Sequence, residues 1–147
     1  SREVYDEAGL LYSSDTRGSR PFFPKIAGRV YRTLEIPSTL PTLDELMGRP
    51  EYPDKAIADH LLSLLDPGRL NVFTLHAEIE GMGRRSIFRD FLAACRGSGV
   101  EFVRLDEEAK ELLSRREAIC VCEQGMGEID GRTGLVATQV VPAGSTA

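Results

Sequence analysis

His76 is the residue of this chain best suited to move a proton. It ends a short apolar run, Val72-Phe73-Thr74-Leu75-His76, and Ala77-Glu78-Ile79-Glu80-Gly81 follow at once. The run predicts a buried strand, and α/β proteins hold their reactive groups at the C-terminal ends of strands. Imidazole gains and loses a proton near neutral pH. The one other histidine, His60, lies inside a helical pattern. Any catalysis by this chain is therefore expected to pass through His76. The plainer reading, a hydrogen-bonded structural histidine, stays open at this point.

A second polar group closes a second strand. Asp15 follows the run Leu10-Leu11-Tyr12-Ser13-Ser14. If the two strands lie in one parallel sheet, Asp15 and His76 open on the same rim, and a carboxylate within reach would fix the imidazole's tautomer. Arg17, two residues on, is either a surface arginine paired to an acid or a contact for an anionic substrate group. Glu78 and Glu80 are candidate substrate-binding carboxylates. They share one face only if the strand continues past His76. No His-Glu-x-x-His is present, so a zincin-type peptidase is not supported. Gly81-Met82-Gly83 is too short for a phosphate loop. Arg84 and Arg85 beside it are either solvated or meet an anionic head group.

Three cysteines, Cys95, Cys120 and Cys122, do not make a disulfide framework. Cys95 reads as a helix core residue, and Cys120 and Cys122 as one face of a strand. One sulfur pair without further ligands is an incomplete metal shell, so no metal ligand is assigned. A deaminase-like role for the pair lacks the required His-x-Glu and Cys-x-x-Cys spacing.

A net charge of −5 argues against an electrostatic grip on nucleic acid. Hydrophobic residues at 41% and charged residues at 28% fit a folded domain. The 147 residues fit one domain over 1–141, with a frayed tail at 142–147. No apolar run is long enough to span a bilayer. The chain opens on Ser1 in what reads as the middle of a helix, so a fragment of a longer protein is expected.

The elements that must position these residues read as follows. A helix over 1–8 stops at Gly9. A strand spans 10–14, a Pro/Phe-rich loop 19–25, and a strand 30–36. Thr42 opens a short helix with Glu45 three residues on. Helices follow over 54–65, 86–96 and 106–115, with strands over 72–76 and 100–105 between them. Strands over 118–123 and 134–140 pair as a hairpin around Asp130-Gly131. The fold class is α/β, with parallel strands, crossover helices and a C-terminal β-hairpin. A closed barrel needs about eight βα units, and this chain has about half of them. Exposed sheet edges then imply a missing partner, a dimer or an open sheet.

Three blocks carry a family resemblance. They are Leu11-Tyr12-Ser13-Ser14-Asp15-Thr16-Arg17-Gly18, then Ile36-Pro37-Ser38-Thr39-Leu40-Pro41-Thr42-Leu43-Asp44-Glu45, then Thr74-Leu75-His76-Ala77-Glu78-Ile79-Glu80-Gly81. In that order, over residues 4–140, the chain resembles the NodB-like polysaccharide deacetylases. The resemblance implies the C-terminal half of an irregular (β/α) barrel. It also implies amide hydrolysis on an N-formyl or N-acetyl amino sugar, with a sugar linked to undecaprenyl phosphate as one form of that substrate. Such enzymes hold a divalent metal, usually zinc, with an Asp and a His-x-x-x-His motif, and a late His protonates the leaving amine. His76 is similar to that late His, Asp15 to the acid that tunes it, and Arg17 to the arginine beside it.

The chain departs from the family at the metal. Its two histidines stand sixteen positions apart, so His-x-x-x-His is absent. The resemblance therefore implies a part with no cofactor of its own, zinc in the complete enzyme, and no activity until the other half is supplied. The rival reading is a non-catalytic half-barrel that binds a partner or a second copy. A bacterial source and the inner-membrane surface follow from the resemblance alone, and the residues leave the compartment open.

Overall fold

The computed structural model describes residues 2–140. The expected tail at 142–147 lies outside them. The chain forms two compact units. Of the described residues the first takes in 2–39, 103–128 and 134–140, and the second 40–102 and 129–133.

Among the described residues the first unit is a mixed sheet with two α-helices and a short 3-10 helix at Arg116–Ala118. Helix α1 is Arg2–Ala8. It ends as its glycine predicts. Gly9 has φ 66°, its N–H donates to the Asp6 carbonyl at 3.3 Å, and the Leu10 N–H donates to Tyr5 at 3.1 Å. That pair of bonds closes the last turn with a left-handed glycine. The strands are β1 (Tyr12–Ser13), β2 (Phe22–Ile26), β3 (Arg29–Val30), β4 (Leu34–Glu35), β5 (Cys120–Glu128) and β6 (Leu135–Val140). Their order is β1-β4-β2-β5-β6, with β3 paired to β2. β1–β4 and β2–β5 are parallel. β2–β3, β2–β4 and the hairpin β5–β6 are antiparallel. Phe22, Leu34 and Ile36 are fully buried here.

The loop expected at 19–25 is in fact largely strand β2. Two prolines argued for a loop, because proline cannot donate to a ladder. Pro24 keeps the one bond proline can make: its carbonyl accepts the Tyr31 N–H at 2.8 Å. The expected strand at 30–36 divides into β3 and β4. The β2–β3 turn consists of Ala27 and Gly28, both at positive φ (49° and 82°), which matches the twist of a two-residue hairpin. Helix α5 (Leu105–Ser114) carries Asp106, Glu107 and Glu108 in its first turn, favourable to the helix dipole.

The second unit is helical. It contains α2 (Leu43–Leu46), α3 (Asp54–Ser63), a π-helical turn (Ile79–Gly83) and α4 (Arg85–Gly97). The predicted strands at 72–76 and 100–105 join no ladder among the described residues; the second gives way to α5 from Leu105. The start of the apolar run before His76 packs against helices instead, while Leu75 is exposed. Val72 is buried, and the Phe73 ring stacks 6.4 Å from Phe88 and meets Phe91 edge-on at 5.4 Å. A short apolar run gives the same pattern for either burial. Leu40, Leu43, Leu46, Ile57, Leu61, Ile87, Phe91 and Cys95 form the core. Gly131, at φ 80°, packs so closely on α2 that a Cβ there would collide with the Glu45 carbonyl oxygen. No helix among the described residues is long and apolar enough to cross a membrane.

Candidate functional site

Asp15 and Arg17 belong to the first unit, and His76, Glu78 and Glu80 to the second. Each group has its own local frame.

Asp15 stands at the edge of a buried ionic network. The centre is Glu35, fully buried on β4. Glu35 Oε1 accepts the backbone N–H groups of Asp15 and Thr16, each at 2.9 Å, and the Thr16 hydroxyl at 2.8 Å. Its Oε2 accepts Arg2 Nη1 at 2.7 Å and the Ser13 hydroxyl. Arg2 is itself buried, and its Nη2 donates to Asp15 Oδ1 at 2.7 Å. Tyr5 donates its hydroxyl to Asp15 Oδ2 at 2.8 Å. Both carboxylate oxygens of Asp15 are thus held by α1. The bond to Asp15 and the charge of that carboxylate push the Tyr5 phenol above its ordinary range. Buried charges persist only when paired and hydrogen-bonded, and this network meets that condition. Arg2, Tyr5, Asp15, Tyr31 and Gln124 line a cleft of about 380 Å³.

Arg17 is tied through its backbone. Its N–H donates to the Ala137 carbonyl at 2.9 Å, and its carbonyl accepts the Gln139 N–H at 2.7 Å. The segment that carries Asp15 is therefore fastened to β6 immediately after it.

His76 ends the apolar run and caps a helical turn. Its carbonyl accepts the N–H groups of Ile79 and Glu80 at 2.9 and 3.0 Å. Its own N–H donates to Glu80 Oε2 at 2.7 Å. Glu80 is only 2% exposed, so it holds the backbone of His76 from inside. The second Glu80 oxygen is buried without a hydrogen bond. Glu78 is exposed. The two acids therefore do not share a strand face: the chain turns helical at Ala77 and sends them to different surroundings. His76 Nδ1 lies 3.7 Å from Asp44 Oδ1. It is otherwise buried without a hydrogen-bond partner. Asp44 sits in the first turn of α2, whose start is fixed by the Thr42 N–H donating to Glu45 Oε2 at 3.1 Å.

Sequence reasoning singled out neither Asp44 nor the Arg2–Glu35 pair. Asp44 stood in plain view beside the capping signature, where an acid is expected for the helix alone. Glu35 lay inside a β-patterned run, and nothing local distinguishes a buried glutamate from an exposed one.

Among the described residues no three His, Cys, Asp or Glu side chains are grouped to hold a metal ion. The donor set does not fit the zinc that the resemblance implies. Cys120 and Cys122 lie together on one face of β5, as their spacing predicts, with sulfurs 3.4 Å apart.

No family model matches the chain. Curated proteins do, and two of them are both named "Probable 4-deoxy-4-formamido-L-arabinose-phosphoundecaprenol deformylase ArnD". The protein of Shewanella sediminis is 33% identical over 132 residues, 89% of this chain and 41% of the relative. That of Wigglesworthia glossinidia brevipalpis is 35% identical over 139 residues, 94% of this chain and 47% of the relative. The chain spans a little under half the length of these relatives. Over most of its residues the chain is thus similar to these deformylases, which supports the resemblance to the polysaccharide deacetylase-like family.

Proposed function

We propose that this chain is the proton-donating part of a carbohydrate amide hydrolase. Its substrate is an N-acylated amino sugar, and the relatives' name points to a formamido-arabinose on a phosphoundecaprenol carrier. The observation that carries the reading is the setting of His76. One ring nitrogen faces the Asp44 carboxylate at 3.7 Å, and the backbone is pinned by buried Glu80.

Amide hydrolysis leaves an amine, and an amine anion is far too basic to depart unprotonated. The bond breaks when a positioned acid delivers a proton to nitrogen, a step worth roughly 10²–10⁴ in rate. His76 as imidazolium does this from Nε2, while Asp44 across Nδ1 compensates the ring's positive charge. Asp15, held by Arg2 and Tyr5 at the cleft of the first unit, is a fixed carboxylate. We assign it a tuning role in the complete site. Arg17 and Glu78 are the candidate substrate contacts, and Glu80, expected from the sequence to be a third, is instead a positioning residue that holds the His76 backbone. Activation of the attacking water is not assigned to this chain, because its described donors form no metal cluster. The chain alone is then inactive, and half of a barrel is the architecture the reading requires.

The test is formate release from a 4-formamido sugar. The chain alone is expected to release none. Joined in place of the matched segment of the Shewanella protein, it is expected to support turnover. Turnover by the chain alone, or a dead chimera that folds, contradicts the reading. A stable dimer of a chain inert in both assays would favour the rival binding module.

A further inference from the structure

Cys120 and Cys122 are both unbridged, Cys120 half-buried and Cys122 buried. Their sulfurs touch at 3.4 Å, one thiol donating to the other. Two residues along a strand span about 6.6 Å between Cα atoms, close to the upper end of the usual disulfide range of about 4.4–6.8 Å. The pair can therefore be bridged with strain, and strained disulfides are the labile ones.

Cys122 also touches a hub. Gln139 Nε2 lies 3.5 Å from the Cys122 sulfur and donates to the Arg20 carbonyl at 3.1 Å. Gln139 Oε1 accepts the Ser19 N–H at 2.9 Å. The Gln139 backbone N–H donates to the Arg17 carbonyl at 2.7 Å. Gly18 leaves the room for this side chain: a Cβ there would stand 2.7 Å from Oε1. One glutamine thus joins the dithiol to the segment following Asp15.

We propose that Cys120 and Cys122 are a redox-responsive dithiol that closes to a disulfide on exchange with a small-molecule disulfide, and that Gln139 transmits its state to residues 17–20. Cys120, the more exposed, loses its proton to solvent and attacks one sulfur of the reagent. The reagent's S–S bond breaks and a thiolate leaves. Cys122 then loses its proton and attacks the Cys120 sulfur of the mixed disulfide, and a second thiolate leaves. Two electrons pass from the protein dithiol to the reagent, and the two released protons meet the two thiolates. Closure ends the thiol–thiol hydrogen bond and shifts the Cys122 sulfur on which Gln139 Nε2 rests, which loosens the glutamine's hold on residues 19 and 20. Burial pushes the Cys120 thiol up, with the bond to Cys122 adding to it, so closure is slow at neutral pH and is faster with excess reagent.

The experiment treats the full chain with oxidised glutathione, maps disulfides by peptide mass, and follows amide hydrogen exchange. A Cys120–Cys122 disulfide is expected, reversed by dithiothreitol, with buried Cys95 still reduced. Exchange at the Ser19 amide should rise about fivefold on closure, the loss of one net hydrogen bond. Cys122→Ser should abolish both effects. Cys120→Ser should do so from the more exposed end, should the first variant fail to fold. Glutathione retained as a mixed disulfide without ring closure would overturn the site. Closure with unchanged Ser19 exchange would overturn the coupling.

Discussion

His76 Nδ1 and Asp44 Oδ1 stand 3.7 Å apart within one compact unit, joining the end of an apolar run to the first turn of α2. That distance is an ion-pair contact rather than a hydrogen bond. It still selects a tautomer, because a carboxylate favours a proton on the nitrogen that faces it. The neutral ring of His76 should carry its proton on Nδ1. Only two histidines are present, so nitrogen-detected NMR separates their signals readily. Asp44→Ala should move His76 toward the Nε2–H form and leave His60 unchanged. The same tautomer in both proteins would show that Asp44 does not orient the ring.

The Arg2–Glu35 pair should dominate the stability of the first unit. Both side chains are buried, and Glu35 also satisfies two backbone N–H groups and two hydroxyls. Glu35→Ala leaves Arg2 charged and those donors unpaired. A loss of about 3–5 kcal/mol is expected, the usual cost of breaking a buried pair by removing one partner. Urea denaturation measures it. A loss below about 1 kcal/mol, the value of an exposed pair, would show that the network is solvated.

Asp6 should make the first unit acid-sensitive. Burial pushes its carboxyl up, but bonds from the Arg32 N–H, the Thr33 hydroxyl and the Thr33 N–H outweigh burial and hold it below the usual range. A carboxyl lowered by folding stabilises the native state above its unfolded pKa of about 3.9. That contribution fades as the pH falls below about 4 and through the folded value. Asp6→Asn should therefore be less stable than the parent at pH 7, with the gap narrowing toward pH 3. Thermal melts across that range read it, and a gap that widens on acidification would reverse the sign.

Two backbone positions should respond in opposite directions. Ala27 holds φ 49° in the β2–β3 turn, a conformation that costs a residue with a Cβ about 1–2 kcal/mol. Ala27→Gly should stabilise, by about 0.5–1 kcal/mol after glycine's greater chain entropy is counted. Gly131→Ala meets both a positive φ and the Glu45 carbonyl. It should destabilise by about 2–4 kcal/mol, the range of severe steric changes. Paired melting curves test both signs.

Helix periodicity made most of this architecture legible. The patterns at 54–65 and 86–96 and the glycine stop at Gly9 all correspond to observed helices, because an amphipathic face and a cap are local facts. The β5–β6 hairpin was visible for the same reason. The run before His76 was not, because apolar residues buried on helices look like apolar residues buried in a sheet. Pro24 hid β2, since proline's usual meaning is local and its accommodation here depends on which neighbour takes the carbonyl bond. His76 announced itself by residue type. Asp44, Arg2 and Glu35 did not, because partners distant in sequence meet only through the fold.

The proton-donor role of His76 is tested most directly by leaving-group dependence in the chimeric deformylase. His76→Gln should lower kcat by about 10²–10⁴ on an alkyl amide substrate, the usual worth of a general acid, with KM little changed. On an amide whose leaving amine is weakly basic, and needs little protonation to depart, the loss should be far smaller. An equal loss on both substrates would contradict the account and return His76 to a structural role.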